Sequence, residues 1–412
     1  MNTLRRSLTW VQGTALTIGA VLGCGILILP SVTADTAGPA SLAAWLMMSL
    51  LTFPIVGTLS VLVQKVPSAG GITAYVQLAF QGKAAAVLGW IMLGSVPIGV
   101  PIIALTGAQY IGAVTGAGTG AIILIAAVML GLSLILNMKG LQLSAKISTL
   151  VICLIILLLA AAIAVSLPHV SSGSFHPFLP HGWHAAGSAS VMIFFSFVGW
   201  EMITPLAEEF KNPKRDIPIS LFAAAACVAL LYVMTAFVTV GTHAYGSGKG
   251  IASLNLLMAN GAGESGVYIT ACLALFITFS TIHANIAGFS RMVYAMSREG
   301  HIPRYFARLH AKSNTPVRVL LWLGAVFCTV LLIQWVFKPD LEVLLKGPSA
   351  AFIASYVFTM AAALKLLRRL SIGWWFASAS FLLCIGVYGF SGWAFFYPVI
   401  LGVAGLLYKR RK

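Results

Sequence analysis

The chain has 412 residues, 59% of them hydrophobic and only 8% charged, with a mean hydropathy of +0.97. Soluble domains are about a quarter charged, so this composition could not cover a water-facing surface. A net charge of +16 would suit nucleic acid, but no soluble face exists to carry it as a patch, and nucleic-acid binding is excluded.

Apolar runs of about 18 or more residues recur along the whole chain, each long enough to cross the hydrocarbon core as a helix. Twelve spans are predicted, near 9–31, 42–63, 85–113, 119–137, 146–167, 187–206, 217–241, 267–289, 317–337, 348–367, 372–388 and 392–408. This pattern predicts one all-α integral membrane domain in a lipid bilayer. With the N-terminus in the cytoplasm, only Lys249, Lys338 and Lys346 of the 25 basic residues fall in outer loops. That is the positive-inside bias at every turn, and it places both termini in the cytoplasm. The run from Val11 to Pro30 is too long for the apolar part of a signal peptide, so it reads as a retained first helix. Six cysteines (24, 153, 227, 272, 328 and 384) all lie inside predicted spans, which disfavours disulfides; all but Cys24 suit small apolar fillers.

The first span contains Gly23-Cys24-Gly25-Ile26 and then Leu29-Pro30. Two glycines around one residue at mid-span disfavour a continuous helix, each by about 1 kcal/mol relative to alanine. Either they allow close helix packing through small residues, or they mark an unwound point whose free N–H groups can hold an anion. The sixth span has a second such place, Phe194-Phe-Ser-Phe-Val-Gly-Trp-Glu201. Glu201 is one of nine acidic residues in the chain and sits amid apolar sequence. An intramembrane carboxylate is costly and points to function. Interruptions at corresponding places in two halves are the best sequence pointer to a transporter's midplane site.

Marked loops follow spans 2, 6 and 8: Pro67-Ser-Ala-Gly-Gly71, where helix is prevented, Glu208-Glu-Phe-Lys-Asn-Pro-Lys-Arg-Asp-Ile-Pro218, which ends in a proline helix start, and Arg291 to Arg298-Glu-Gly300. The histidines 176, 181 and 184 have a metal-like spacing but no nearby cysteine or carboxylate. No metal, cofactor or nucleotide-binding motif is evident, and no nucleophile with its base, so an enzyme is not expected.

These motifs, in this order and over essentially the whole chain, resemble the amino acid–polyamine–organocation permeases. The short length, Val96-Pro-Ile-Gly-Val-Pro101 and the Phe195 to Gly199 run are most similar to the bacterial exporters of methionine and branched-chain amino acids. The resemblance implies a 5+5 inverted repeat (1–167 and 187–367), with discontinuous helices 1 and 6 and two further helices over 372–408. It also implies a substrate site. Gly23, Cys24, Gly25 and Ile26 would meet the substrate carboxylate, with Cys24, often serine in the family, a weaker donor. Val21, Phe195 and Val198 would offer carbonyls to the ammonium at the break beside Gly199. Asn285, with Thr281 and His283 near it, would face the substrate side chain.

Phe195 is either an aromatic gate above the substrate or an ordinary core phenylalanine. Glu201 matches a carboxylate implicated in proton sensing; desolvation disfavours its charged form, so it either couples protons or supports the opened helix. A helix 5 lysine found in some proton-coupled relatives is replaced by Ile155. The implied activity is secondary transport of methionine, leucine, isoleucine or valine, by export against protons across the inner membrane. Proton-coupled uptake, exchange, and a non-transporting receptor are the alternatives. Oligomeric state is not legible.

Overall fold

The computed structural model describes residues 4, 6–23, 25–246, 264–311, 313–339 and 341–410. Among them there is no strand, and one isolated bridge pairs Leu8 with Phe210. Among the described residues, fourteen α-helices run as α1 Trp10–Leu22, α2 Gly25–Ala37, α3 Ser41–Lys65, α4 Ile72–Phe80, α5 Gly82–Thr115, α6 Thr119–Met138, α7 Leu141–Ser166, α8 Gly182–Phe194, α9 Pro213–Gly241, α10 Glu264–Arg298, α11 Val317–Phe337, α12 Leu341–Leu366, α13 Ile372–Gly389 and α14 Phe396–Arg410.

The local punctuation follows the sequence. Pro67 to Gly71 holds the chain out of helix until Ile72, because proline and a positive-φ glycine cannot continue one. Pro213 starts α9 as its first residue, where its missing N–H is not needed. Ser371 caps α13 by accepting the Trp374 N–H.

Nine helical stretches among the described residues are long and apolar enough to cross a membrane. The three expected spans outside that set are the first, the sixth and the twelfth. The first is divided into α1 and α2, and the sixth into α8 and a 3-10 segment, Trp200–Glu209. The twelfth opens with a 3-10 turn, Gly392–Phe395, before α14. The first and sixth thus fall short by interruption, and the twelfth by length.

Burial separates inner from outer helices. The most apolar windows of α5 and α10 are 72% buried within the protein, against 22% for α6 and 28% for α7, α11 and α13. The outer helices leave rows of leucine and isoleucine uncovered, such as Leu124, Leu132 and Leu157. Such faces would aggregate in water but are satisfied by lipid. The inner set, α1, α3, α5, α9 and α10, packs together about the two interruptions.

At one end of the bundle the three marked segments meet, although Arg291 to Arg298 forms the last turns of α10 and not a loop. Glu209 accepts from the Arg291 Nε at 2.8 Å, and Glu208 accepts from Arg298 at 3.1 Å. The same Glu208 oxygen accepts the Ala69 N–H, 3.0 Å away. The N-terminal segment is stitched to this knot, with the N–H groups of Ser7 and Leu8 donating to the Glu209 carbonyl. Backbone bonds, not side chains, therefore tie the start of α1 to the end of the 3-10 segment.

Candidate functional site

α1 stops at Leu22, Gly23 turns aside with φ +34°, and α2 begins at Gly25. An unbroken helix would pass the carbonyls of Val21 and Leu22 to N–H groups four residues on. Instead the Tyr232 hydroxyl of α9 lies 3.3 Å from the Val21 carbonyl and 3.1 Å from that of Leu22. The second break is longer. α8 ends at Phe194, one 3-10 turn covers Phe195–Phe197, Val198 is extended, and Gly199 takes φ +123° before the 3-10 segment. The Ser196 carbonyl is 3.0 Å from the same Tyr232 hydroxyl. One phenol proton thus serves carbonyls of both interrupted helices. Trp45 and Phe197 pack against the Tyr232 ring at 5.1 Å and 5.0 Å, which holds it in place.

The two breaks touch. A Cβ on Gly199 would stand 2.7 Å from the Ala20 carbonyl oxygen and 3.4 Å from the Val21 nitrogen. Gly25 faces Ser196 just as closely, and the Ser196 hydroxyl is buried with no protein partner. Gly199→Ala is therefore expected to destabilise the junction, because it adds both a clash and a positive-φ penalty of about 1 kcal/mol or more. Thermal unfolding of the variant in detergent, beside its folded yield, checks this; wild-type stability would contradict it.

A second tyrosine organises the far side of this break. The Tyr356 hydroxyl, from α12, accepts the N–H groups of Gly199 at 3.2 Å and Trp200 at 3.1 Å, and donates to the Glu201 carboxylate. The other Glu201 oxygen is buried without a partner. So the carboxylate closes on the first turn of the 3-10 segment through a shared tyrosine.

From α10, the Thr281 hydroxyl donates to the Gly19 carbonyl at 2.9 Å, which pins α1 one turn before its end. Asn285, one turn further along α10, is buried and folds its amide back onto the Thr281 carbonyl at 2.8 Å. His283 is not part of this face, contrary to the expected patch. It turns toward α6 and α7, where Ser133, Asn137 and Ser144 surround it.

Val21, Gly23, Gly25, Ile26, Val198 and Gly199 are thus gathered where the two breaks meet, with Asn285 on the α10 face that holds α1. Cys24 and the Phe195 side chain, the expected gate, lie outside the described residues. Ile155 is fully buried on α7, which packs against α1. Sequence reasoning missed Tyr232 and Tyr356. Both are lone tyrosines in apolar spans, and a buried tyrosine hydroxyl needs a partner; that need was visible, but not which backbone would meet it.

The chain matches the amino acid permease family over residues 8–408. It is 68% identical to the uncharacterized amino acid permease YecA of Bacillus subtilis, over 99% of this chain and 96% of that one. It is 29% identical to the L-methionine/branched-chain amino acid exporter YjeH of Escherichia coli, over 100% and 98% of the two chains. The branched-chain amino acid permease BcaP of Bacillus subtilis is 25% identical over 79% and 74%. With two broken helices meeting inside a bundle of apolar spans, and a family match along nearly its whole length, this chain belongs to the amino acid permeases, multi-pass membrane transporters and not enzymes.

Proposed function

We propose that this protein moves neutral, hydrophobic amino acids (methionine, leucine, isoleucine and valine) by alternating access around the two helix breaks. The observation that carries this reading is the convergence of the Val21, Leu22 and Ser196 carbonyls on one tyrosine hydroxyl, beside the start of α2. Carbonyls released from helical bonding keep a second lone pair for an ammonium, and helix N-termini suit a carboxylate, so a zwitterion needs no dedicated charged side chain. Gly23, Cys24, Gly25 and Ile26 would take the carboxylate, Val21, Phe195 and Val198 the ammonium. Asn285 would meet the side chain, and Phe195 would close over it. Glu201, the carboxylate at the breaks, is engaged by Tyr356. A cationic substrate would want an acidic partner of its own.

Export by proton antiport is the direction we favour, with twelve spans in a 5+5 repeat, both termini cytoplasmic, and the inner membrane as the location. The likeness to an exporter along the full length of both chains supports it. Uptake is the second reading, supported by the likeness to a branched-chain amino acid permease. Cells fed methionyl and leucyl dipeptides, with and without the protein, discriminate the two. An exporter lowers the intracellular amino acid and raises it outside; higher intracellular levels would replace export with uptake. Absence of counterflow in proteoliposomes would remove transport itself.

Glu201 is the proposed coupling group at the break. Glu201→Gln is expected to flatten the pH dependence of transport while leucine binding persists. It keeps the hydrogen-bonding shape but cannot titrate. A pH profile matching wild type would reduce Glu201 to support of the 3-10 segment.

A further inference from the structure

We propose that the groove at the turn between α12 and α13 binds one anionic phospholipid, Arg369 taking its phosphate and α13 its acyl chain. The site lies apart from the helix breaks and does not depend on the direction or coupling of transport.

The groove is open and has a volume of about 660 Å³. Its wall on α13 is made by Trp374, Ser378, Phe381 and Leu382. That spacing puts the four on one face of the helix, over about 12 Å of its length. Leu364 of α12 and Leu370 of the turn complete the apolar lining, and Arg369 is its only charged member. Leu370 and Leu382 are 73% and 70% exposed, so the groove opens outward. This is the side on which α13 meets lipid, since only 28% of its most apolar window is buried within the protein.

Charge at the turn is of one sign. Arg368 and Arg369 are both exposed, and among the described residues no hydrogen bond or ion pair engages either guanidinium. Two further cations stand beside them. The Lys65 Nζ donates to the Leu366 carbonyl at 2.8 Å, and the Lys365 Nζ lies 5.0 Å from the centre of the Phe80 ring. No aspartate or glutamate occurs on α3, α4 or α13, and Glu342 of α12 is on its first turn, at the opposite end. The N-terminus of α13 adds its positive dipole end at the same turn. By contrast, Arg291 and Arg298 each have a carboxylate of their own. An anion for Arg369 has to come from outside the protein.

The apolar wall decides which anion. A free phosphate would use the guanidinium and leave the wall unoccupied, whereas a phospholipid uses both. Its phosphodiester can accept two parallel N–H bonds from the arginine fork. Trp374 and Trp375, edge to face at 5.2 Å, start α13 at the same level, and tryptophan favours the headgroup depth of a bilayer. A zwitterionic headgroup would bring its own cation among Arg368 and the two lysines, so a net negative lipid is preferred.

The test titrates full-length protein in detergent with dioleoylphosphatidylglycerol or dioleoylphosphatidylcholine, which share the same chains, and counts bound lipid by native mass spectrometry. Wild type is expected to bind the anionic lipid about fivefold more tightly, and Arg369→Gln to erase that preference, the scale of one basic side chain at an anionic surface. Arg369 holds no protein group, so the variant should unfold thermally as wild type does without lipid. Ser378→Phe fills the groove and is expected to weaken both lipids; unchanged binding would put the lipid elsewhere and overturn the site. Lys139→Gln, at an exposed position after α6, controls for the overall charge and is expected to change nothing. Equal losses from Lys139→Gln and Arg369→Gln would replace the site with general attraction to a basic surface. Equal affinity of wild type for the two lipids would remove it, as would displacement of phosphatidylglycerol by millimolar inorganic phosphate. A dimer peak lost in Ser378→Phe would give the groove to a second copy of the chain instead. If Ser378→Phe does not fold, Arg369→Gln against Lys139→Gln decides.

Discussion

Replacing Tyr356 by phenylalanine is expected to destabilise the protein by about 2–4 kcal/mol, the sum over two or three newly unpaired buried groups. The loss is large for one oxygen because that oxygen has three partners. It accepts the N–H groups of Gly199 and Trp200 and donates to Glu201. No neighbouring backbone can take over, since Gly199 has left the helix with φ +123°. Orphaned N–H groups are rarer in native proteins than under-satisfied carbonyls, so the donors carry most of the cost. Leucine counterflow is expected to fall about tenfold, equivalent to ~1.4 kcal/mol, because the second break loses its fixed shape. Thermal unfolding in detergent and counterflow in vesicles check both parts. A variant with wild-type stability would mean that water replaces the phenol at no cost, and the junction would lose its assigned role.

The second large effect concerns the end of the bundle. Arg291 and Glu209 form an ion pair with 0% and 4% side-chain exposure, and Arg291 also donates to Ser290 at 3.0 Å. Removing one member of a buried pair strands the other, so Arg291→Met is expected to cost about 3–5 kcal/mol. Changing both, Arg291→Met with Glu209→Leu, is expected to recover most of that loss, because desolvation of the pair offsets much of its attraction. The neighbouring Arg298–Glu208 pair is 46% and 27% exposed. Arg298→Ala should therefore change stability by no more than about 1 kcal/mol. The comparison of the three proteins by thermal unfolding is decisive. If the double variant is no more stable than Arg291→Met, the pair itself would be the source of stability.

Much of the site was legible because chain chemistry marks it locally. Gly23 and Gly25 disfavour helix wherever they sit, and the structure opens α1 from α2 between them. Gly199 takes the positive φ that only glycine adopts without strain. Glu201 stood out because an acid within apolar sequence has no local reason to be there. By contrast, His283 and Asn285 are two residues apart on one helix and read as a single polar patch. On a helix that spacing turns them to different sides: His283 bonds to α6 and α7, whereas Asn285 bonds back to Thr281 on the side facing α1.

Composition and local punctuation by themselves determined that this chain lives in a bilayer and where its helices are interrupted. Those are properties of short stretches, set by transfer energies and by backbone freedom residue by residue. Only the tertiary structure decided what satisfies the opened backbone. Tyr232 lies on α9 and Tyr356 on α12, separated from the groups they bind by as many as 211 and 157 residues. In an apolar interior every freed N–H and carbonyl must find a partner. Which side chain supplies it depends on how helices pack, and that information is spread over the whole chain.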